Sequence, residues 1–279
     1  MEEALLQFSA GHVTQPLRSV LQVTEHEGWL GLMPCVYGPV FGTKLVTVFP
    51  QNAGLSIHTH NAVVVLFRSH TGEPFAILEG RTITARRTAA VSAIATNELA
   101  PARVRILAIL GSGVQARAHY EALKCVRHFD EVRVWSRNMV HAGRFAEEIG
   151  ASVHNLEEAV AGADVIVAAT GASESILRKA WLKPGAHVNA VGAIGPVARE
   201  IDKETVDASA VVVESREAAM RESREVRESG AIYAELGEIL AGSKAKPVNK
   251  TTIYKSVGIA VEDVAAAHLA YDKKIRELR

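Results

Sequence analysis

The chain has too few cysteines for a disulfide-stabilised protein. Its 279 residues include two, Cys35 and Cys125, which lie far apart and lack the spacing of metal ligands. Small secreted domains need many cross-linked cysteines because their hydrophobic cores are small. We therefore predict two free thiols, a reducing compartment and no metal site.

An excess of charge of either sign is also missing. Lys and Arg together number 31, as do Asp and Glu, so the formal net charge is zero. Proteins that bind nucleic acids or anionic membrane surfaces usually carry a basic excess, because their partner is negatively charged. The composition therefore predicts no nucleic-acid partner and no membrane partner.

Long hydrophobic runs are absent as well. The longest, such as residues 62–67, have the length of a strand, whereas a membrane-spanning helix needs about 20 apolar residues. The first ten residues, MEEALLQFSA, contain no basic segment and no long apolar run, which does not fit a signal peptide. We expect a cytoplasmic protein.

What the chain does have is a glycine-rich turn within the segment RILAILGSGVQA, residues 105–116. An apolar run predicts a strand before it, and a helical pattern follows it. In this setting Gly111 allows a tight turn, Gly113 lets the backbone approach a pyrophosphate, and Ala116 lets the helix pack close to the strand. The free N–H groups of the helix N-terminus favour phosphate binding. The segment predicts a dinucleotide site, and the alternative is a glycine-rich turn without a ligand.

The pattern around this turn alternates between strand and helix. A chain of 279 residues is long for a single hydrophobic core, so we expect two domains. Alternating short apolar strands and helices predict an α/β fold with a doubly wound parallel sheet. The predicted strands are residues 104–110, 132–135, 165–170, 187–191 and 210–213, and the predicted helices between them are residues 114–126, 140–149, 156–161 and 202–207.

The flanking segments have different patterns. Residues 11–90 are rich in strand patterns, and the segments after residue 214 are mainly helical. The predicted strands of the first part are residues 20–24, 44–49, 62–67 and 75–79, with helices at 1–10 and 88–99. The predicted elements of the last part are a charged helix at 214–240, a strand at 251–256 and a closing helix at 259–278.

The residues after the second strand of the alternating region predict which cofactor binds. An NAD enzyme places an Asp or Glu roughly 20 residues past the glycines, where it binds the ribose 2′-hydroxyl. This chain has Ser136, Arg137 and Asn138 there. An arginine pairs with a 2′-phosphate, and the two polar neighbours can donate hydrogen bonds. The segment therefore predicts NADPH, and the alternative is a solvated arginine at a strand end.

Six segments together resemble one family. They are GTKLVT at 42–47, RTAAVSAIAT at 87–96, ILGSGVQA at 109–116, EAVAGADVIVAAT at 158–170, KPGAHVNAVGA at 183–193 and KSVGIAVEDVAA at 255–266. The chain resembles the ornithine cyclodeaminase/mu-crystallin family over essentially its whole length, most closely the mu-crystallin branch. The resemblance implies an NADPH-dependent reductase of cyclic ketimine carboxylates that also binds thyroid hormone and forms a homodimer.

The same resemblance implies a Rossmann domain and a discontinuous substrate and dimerisation domain. The expected boundaries are 1–88 and 258–279 for the substrate and dimerisation domain, and 89–257 for the NADP-binding Rossmann domain. Family members carry a further strand and helix ahead of the point where this chain begins, so the first part of the substrate domain is expected without them.

By resemblance, four residues form the substrate site: Lys44, Arg18, His60 and Glu222. Arg18 would hold the substrate carboxylate, and Lys44 would bind substrate or relay a proton with a pKa lowered by burial. The alternatives are a lysine with its head in solvent, a structural histidine, and a glutamate on a solvated, salt-bridged helix face.

By the same resemblance, Arg87 and Thr88 contact the cofactor phosphates, and we predict that they precede a helix whose N-terminus favours such binding. The full predicted set is Thr59, Arg87, Thr88, Gly111, Ser112, Gly113, Val114, Gln115, Ser136, Arg137, Asn138, His141, Thr170, Gly171, Val191 and Ser256.

One residue departs from the family pattern. Cyclodeaminases carry an aspartate after the N-A-x-G motif, and Ile194 occupies that place. Isoleucine cannot transfer a proton, so we expect no cyclodeaminase activity. The open alternatives to the reductase are a catalytically silent protein that binds thyroid hormone with NADPH, a structural protein, and an alanine dehydrogenase-like enzyme. The last would normally have an acidic residue among positions 136–138.

Overall fold

The structure, a computed structural model, describes residues 1–195 and 197–278. Its α-helices are α1 Glu2–Ser9, α2 Gly80–Leu99, α3 Val114–Leu123, α4 Met139–Ile149, α5 Leu156–Val160, α6 Lys203–Ala208, α7 Arg216–Glu222, α8 Arg224–Ser229, α9 Leu236–Leu240 and α10 Ala260–Glu277. Its strands are β1 Ser19–Val23, β2 Gly28–Tyr37, β3 Val40–Val48, β4 His60–Arg68, β5 Pro74–Glu79, β6 Ile106–Leu110, β7 Glu131–Trp135, β8 Ser152–Val153, β9 Val165–Ala168, β10 His187–Ala190, β11 Ala210–Val213, β12 Ala234–Glu235 and β13 Thr252–Lys255. Within this part of the chain, none of the helices is long and apolar enough to cross a membrane.

The chain divides into two compact units. The first unit comprises Met1–Arg87 and Gly258–Arg279, and the second comprises Thr88–Val257. The first boundary falls inside helix α2, and the second falls just before helix α10.

The first unit is built on an antiparallel sheet with the strand order β1-β2-β3-β4-β5. Strand β2 was not predicted from the sequence. Its segment GWLGLMPCVY contains two glycines and a proline, residue types that are depleted in strands. Buried Met33 and Cys35 alternate with exposed Leu32 and Val36 in this strand, so one face of the sheet is covered and the other is not.

Helix α10 packs against β2, β3 and β4 on the covered face. Side chains alternate along β3, so Val40, Gly42 and Lys44 all point to that face. Gly42 is needed there because a Cβ atom would lie 2.6 Å from the carbonyl oxygen of Val65 and 3.3 Å from a methyl group of Val264 on α10. This alternation places a lysine among core residues, beneath a helix.

Helix α2 begins eight residues earlier than predicted, directly after strand β5. The carboxylate of Glu79 accepts hydrogen bonds from the backbone N–H groups of Arg81 and Thr82, at 2.7 and 2.9 Å. These bonds satisfy free donors of the first turn, so the strand passes into the helix without a loop. The alanine-rich segment from which the helix at 88–99 was predicted is the later part of α2.

The second unit contains a parallel sheet with the strand order β12-β11-β13-β10-β9-β6-β7-β8. Alternate residues of β6 belong to two different apolar clusters, Ala108 and Leu110 to one, and Leu107 and Ile109 to the other. Both faces of the sheet are therefore covered, which explains the nearly continuous apolar strands. The chain order reverses between β6 and β9, where ligands bind in doubly wound sheets.

The predicted charged helix at 214–240 is wrong as a continuous element. It consists of α7, α8, the short strand β12 and α9. The side chain of Ser223 accepts from the backbone N–H of Val226 and starts a new helix, and Gly230 ends that helix at φ +69°. Glu214 and Glu225 are buried, so they do not belong to a solvated face.

Candidate functional site

A pocket of about 450 Å³ opens in the second unit at the carboxyl ends of β6, β7 and β9. This is the switch point of the parallel sheet, where the loops after neighbouring strands diverge and leave a crevice. Its lining residues are Gly111, Ser112, Gly113, Trp135, Ser136, Arg137, Asn138, His141, Ala169, Thr170, Gly171, Ala172, Ser173, Glu174 and Ile176.

The glycine-rich turn has the geometry that a pyrophosphate requires. Gly111 has φ +128°, and a Cβ atom there would lie 2.4 Å from the carbonyl oxygen of Ala169. Nothing lies within 4 Å of a Cβ built on Gly113, so the backbone is open to a ligand at that point. Gly113 is also the N-cap of α3 and offers no side chain to the first-turn N–H groups. The residues present therefore fit a dinucleotide phosphate.

Arg117, which the sequence analysis did not single out, holds this turn in place. Its Nη1 donates to the carbonyl oxygen of Ser112 at 2.5 Å, and its Nη2 lies 2.9 Å from a carboxylate oxygen of Glu148. Its guanidinium also lies over the ring of Phe145, 4.7 Å from the ring centroid. The basic residue one turn into α3 thus fixes the loop backbone and has a structural role.

The end of β7 forms the second wall of this pocket. The hydroxyl groups of Ser136 and Ser112 lie 3.0 Å apart and connect the two loops. Asn138 is the N-cap of α4, and its side-chain oxygen accepts from the backbone N–H groups of Val140 and His141. Arg137 lies between these two residues in the lining. Among the described lining residues the acidic one is Glu174, which follows β9 and not β7.

The pocket brings together nine of the predicted cofactor contacts: Gly111, Ser112, Gly113, Ser136, Arg137, Asn138, His141, Thr170 and Gly171. Five others in the second unit lie outside this lining. Thr88 lies within α2, Val114 and Gln115 begin α3, Val191 is buried after β10, and Ser256 is buried after β13. Thr59 lies in the first unit, where its hydroxyl is 3.2 Å from Nδ1 of His60.

Behind the pocket, the buried carboxylate of Glu200 joins the ends of β9 and β10. One oxygen accepts from the backbone N–H and the hydroxyl of Thr170, at 2.6 and 2.8 Å. The other accepts from the backbone N–H groups of Gly192 and Ala193, at 2.9 and 3.1 Å. Burial raises the pKa of Glu200 above its usual value, against the opposing effects of Lys255 and of the bonds from Thr170.

Two further buried acids stabilise the same unit. Glu225 lies 2.8 Å from the ammonium nitrogen of Lys255, which also donates to the carbonyl oxygen of Ala193 at 2.7 Å. Glu214 accepts from the hydroxyl groups of Tyr254 and Ser256, at 2.8 and 2.6 Å. The Ser256 hydroxyl therefore serves the internal structure of the second unit.

A separate cluster of buried charges lies in the first unit. Nζ of Lys44 is 2.6 Å from Oδ2 of Asp263, and Nε of Arg87 is 3.0 Å from Oδ1 of the same carboxylate. Nη1 of Arg87 also pairs with Glu262. Lys44 is 2% exposed, and both acids are fully buried. Charges buried this deeply are stable only when they are paired, so their geometry is tightly constrained.

The cluster changes the proton affinity of its members. Burial lowers the pKa of Lys44 to about 8, with contributions from Arg87 and Arg18, although Asp263 opposes the shift. Burial acts to raise the pKa of Asp263, but the cations Arg87 and Lys44 outweigh it and hold that pKa below its usual value. Burial and the charge of Asp263 raise the pKa of Cys35 to about 12, so this thiol stays protonated.

Arg18 and His60 lie near Lys44. Nη2 of Arg18 donates to the carbonyl oxygen of Gly258 at 3.1 Å, at the start of α10. Desolvation and the charge of Lys44 lower the pKa of His60, so its imidazole is neutral at neutral pH. The cluster thus brings the cations Arg18, Lys44 and Arg87 together with the carboxylates of Asp263 and Glu262.

The prediction that Arg87 and Thr88 precede a helix is wrong. Both lie in the middle of α2 and are 6% exposed, so a helix N-terminus provides no reason for phosphate binding there. The guanidinium of Arg87 is occupied by the two buried carboxylates of α10. A cofactor contact of these residues stays a prediction.

Glu222 lies in the second unit and not in the Lys44 unit. It is the last residue of α7, and its backbone carbonyl oxygen accepts from the N–H of Gly195 at 2.7 Å. Its side chain is half-buried. A role of Glu222 at the substrate stays a prediction, and the observed contact connects the loop that follows β10 to α7.

The sequence analysis missed the residues that hold Lys44 and the crevice loops: Asp263, Glu262, Glu200, Glu214, Glu225 and Lys255. A signal was available for the first two, because the acidic pair of GIAVEDVAAA interrupts an otherwise apolar stretch. An acidic pair in such a stretch indicates buried charges with partners elsewhere. Within residues 1–195 and 197–278, no cluster of side chains could hold a metal ion, and both cysteines are free.

Similarity to known proteins agrees with the geometry. Residues 1–277 match the Ornithine cyclodeaminase/mu-crystallin family. The chain is 47% identical over 281 residues to the ketimine reductase mu-crystallin of Mus musculus, which covers 98% of this chain and 90% of that protein. It is 38% identical over 292 residues to the Delta(1)-pyrroline-2-carboxylate reductase of Bacillus thuringiensis subsp. konkukian (strain 97-27), with coverages of 98% and 90%.

A solved structure is also similar over the whole chain. The Delta(1)-pyrroline-2-carboxylate reductase of Thermococcus litoralis, in complex with NADH and L-proline, has a TM-score of 0.93 and 35% identity. The similarity covers 99% of this chain and 91% of that one. The predicted α/β fold class is confirmed, and the chain belongs to the ornithine cyclodeaminase/mu-crystallin family.

Proposed function

We propose that this protein reduces cyclic ketimine carboxylates with NADPH as the hydride donor. The broader activity is that of an oxidoreductase that uses a nicotinamide cofactor on C=N bonds, as its relatives are named. The observation that carries the proposal is the buried cluster around Lys44, in which Asp263 holds a lysine of lowered pKa near Arg18 and Arg87.

The cations of this cluster fit a substrate that carries a carboxylate. Arg18 and Lys44 are cations of this cluster, and a bidentate arginine–carboxylate contact would fix the orientation of a planar imino acid. Arg87 already pairs with Asp263 and Glu262. We assign the substrate carboxylate to Arg18, the position to which the family resemblance gives this role.

Lys44 fits the role of proton donor. When bound, the nicotinamide cofactor supplies a hydride to the imine carbon. The imine nitrogen must gain a proton in the same reaction, so that the C=N bond becomes CH–NH. A lysine with a pKa of about 8 is protonated at neutral pH and releases its proton more readily than a solvated lysine. Asp263 holds its ammonium group in place at 2.6 Å.

The preference for NADPH is supported by the end of β7. Arg137 is flanked by two polar residues, and no acidic residue follows that strand in the lining. A carboxylate there would bind the ribose 2′-hydroxyl of NADH and repel a 2′-phosphate. Arg137 instead offers a planar cation to that phosphate.

The test is NADPH oxidation with piperideine-2-carboxylate and pyrroline-2-carboxylate, followed at the nicotinamide absorbance. We expect turnover with a cyclic ketimine and none in the absence of the imine. Ammonia release from ornithine is the control, and none is expected because Ile194 has no ionisable group. Tight NADPH binding without reduction of either imine would contradict the proposal.

Thyroid hormone is a second candidate ligand. It carries a carboxylate, which Arg18 would bind as it would bind that of the imine, and an apolar ring system. We expect the hormone to inhibit imine reduction competitively. Hormone binding without any inhibition would place it at another site.

A second copy of this chain is the expected protein partner. The uncovered face of the antiparallel sheet exposes Leu32, Val36, Val63 and Ile77, and the rings of Phe41 and Phe67 stack 4.9 Å apart on the same face. An apolar face of this kind is typical of a protein interface. Sedimentation equilibrium should give twice the chain mass of 29.9 kDa.

A further inference from the structure

Two loops at the carboxyl edge of the parallel sheet meet at one buried carboxylate. Thr170 follows β9 and lines the pocket, whereas Gly192 and Ala193 follow β10. All of their four donors, three backbone N–H groups and one hydroxyl, point to the two oxygens of Glu200 at 2.6–3.1 Å. Glu200 lies further along the same connection as Gly192 and Ala193, between β10 and α6.

The two loops are also in close contact. A Cβ atom on Gly192 would lie 2.2 Å from the carbonyl oxygen of Thr170 and 2.5 Å from the near oxygen of Glu200. No side chain fits between the loops, so this position requires glycine. This close packing is a second observation, independent of the hydrogen bonds, that the loops after β9 and β10 are held together.

Glu200 is held from the other side. Its backbone N–H donates to the carboxylate of Glu225 at 2.6 Å, and the N–H of Ile201 donates to the same oxygen at 2.8 Å. Glu225 in turn pairs with Lys255 of β13. The carbonyl oxygen of Glu200 accepts from the N–H of Ile176, another residue of the pocket lining.

We propose that Glu200 is a positioning residue that fixes the loops after β9 and β10 in the conformation that binds the nicotinamide cofactor. The relevant site is the cofactor pocket, so the proposal does not depend on which imine is reduced. Each oxygen of Glu200 accepts from two donors, and this requires a carboxylate. A glutamine keeps the shape but has one oxygen, so one loop loses its acceptor, and the buried N–H of Thr170 or of Ala193 is left unpaired.

The test compares Glu200→Gln with Asp164→Asn. Asp164 is a buried carboxylate at the opposite, amino end of the sheet, where it accepts from the N–H groups of Arg105 and Ile106. Both substitutions remove a buried negative charge from backbone donors, and both are expected to lower stability. We expect the NADPH Kd, measured by fluorescence titration without imine, to rise about tenfold in Glu200→Gln and to stay within about twofold in Asp164→Asn. KM for NADPH should rise in the same variant, whereas KM for the imine should not.

An unchanged Kd in folded Glu200→Gln, or equal increases in both variants, would overturn the proposal. If Glu200→Gln does not fold, amide hydrogen exchange in the wild-type protein tests whether the two loops are held in place. Without cofactor, we expect slow exchange at the amides of Thr170, Gly192 and Ala193, and fast exchange at all three would overturn it. If the wild-type protein binds NADPH but reduces no imine, the proposed function fails while these outcomes still decide the role of Glu200.

Discussion

The ammonium nitrogen of Lys44 lies 2.6 Å from a carboxylate oxygen of Asp263, and both side chains are buried. Lys44 comes from the central strand β3, and Asp263 comes from the first turn of α10, near the other end of the chain. The same carboxylate holds Arg87. This pairing keeps Lys44 protonated at neutral pH in spite of its burial. The expected effects of substituting Lys44 or Asp263, and of raising the pH, depend on this pairing.

Replacing Lys44 by methionine should lower kcat for imine reduction at least a hundredfold, because the proton donor is lost. The NADPH Kd should change little, since the pocket that fits the cofactor is formed by residues of the second unit. Steady-state rates and a fluorescence titration check both expectations. Lys124→Met, at an exposed lysine, is the control and should behave as wild type. A near-normal rate in Lys44→Met would remove Lys44 from the mechanism.

The pH dependence of kcat should show a descending alkaline limb. The lowered pKa of Lys44, about 8, means that the ammonium loses its proton as the pH rises through this value, and the proton donor disappears. The rate should therefore be constant below this pH and fall about tenfold per pH unit above it. Lys44→Arg is the informative variant, because a guanidinium stays protonated throughout this range. The activity that Lys44→Arg retains should show no alkaline limb. An alkaline limb unchanged from wild type would show that a group other than Lys44 causes it.

Asp263→Asn should destabilise the protein strongly. The substitution leaves the buried cations Lys44 and Arg87 without their shared carboxylate, and removing one partner of a buried pair costs about 3–5 kcal/mol. The free energy of unfolding in urea measures the loss. Asp272→Asn, on the same helix but 43% exposed, should change it by less than about 1 kcal/mol. Equal stabilities of the two variants would contradict the buried pairing.

Arg137→Glu should reverse the cofactor preference. We expect the wild-type protein to bind NADPH at least about tenfold more tightly than NADH, because a guanidinium–phosphate pair contributes a charge-assisted hydrogen bond. A glutamate would repel the 2′-phosphate and accept from the ribose hydroxyl of NADH. Arg144→Glu makes the same charge change on an exposed position of α4 and should leave the ratio unchanged. Equal titration curves for the two cofactors in the wild-type protein would contradict this assignment.

Alanine substitutions at Gly111 and Gly113 should have different effects. At Gly111 the added Cβ atom meets Ala169 at 2.4 Å and the backbone has φ +128°, so the variant should lose stability as well as cofactor binding. At Gly113 the Cβ atom meets no protein atom, so Gly113→Ala should keep its melting temperature. Its NADPH Kd should nevertheless rise, because the methyl group occupies space needed for the pyrophosphate. Unchanged affinity in folded Gly113→Ala would contradict phosphate binding at this turn.

The sequence predicted the alternating region well. The strand before the glycines, the tight turn at Gly111 and the helix after it follow from local patterns, as do most strands of the parallel sheet. Such strands are covered on both faces, so they appear as short apolar runs that need no knowledge of their neighbours. The predictions failed at β2, which contains glycine and proline, and at the polar first turns of α2.

Charged segments were the least predictable part of the chain. Residues 214–240 have the helical spacing of a solvated face, yet Glu214 and Glu225 are buried because β13 and the residue after it supply their partners, Tyr254, Lys255 and Ser256. A pattern of charges along the chain does not reveal which of them meets a partner from a distant segment. Burial of such residues is therefore decided by the sheet order.

The sequence by itself determined the α/β class, the family, the glycine-rich turn and the polar residues that follow β7. These features depend on residues close together in the chain, where periodicity and turn chemistry act locally. Only the tertiary structure decided that Lys44 is buried beside Asp263, that Arg87 lies inside a helix, and that Glu200 joins two loops. The physical reason is that burial and the charges around a group set its proton affinity, and both arise from segments that are distant in the chain.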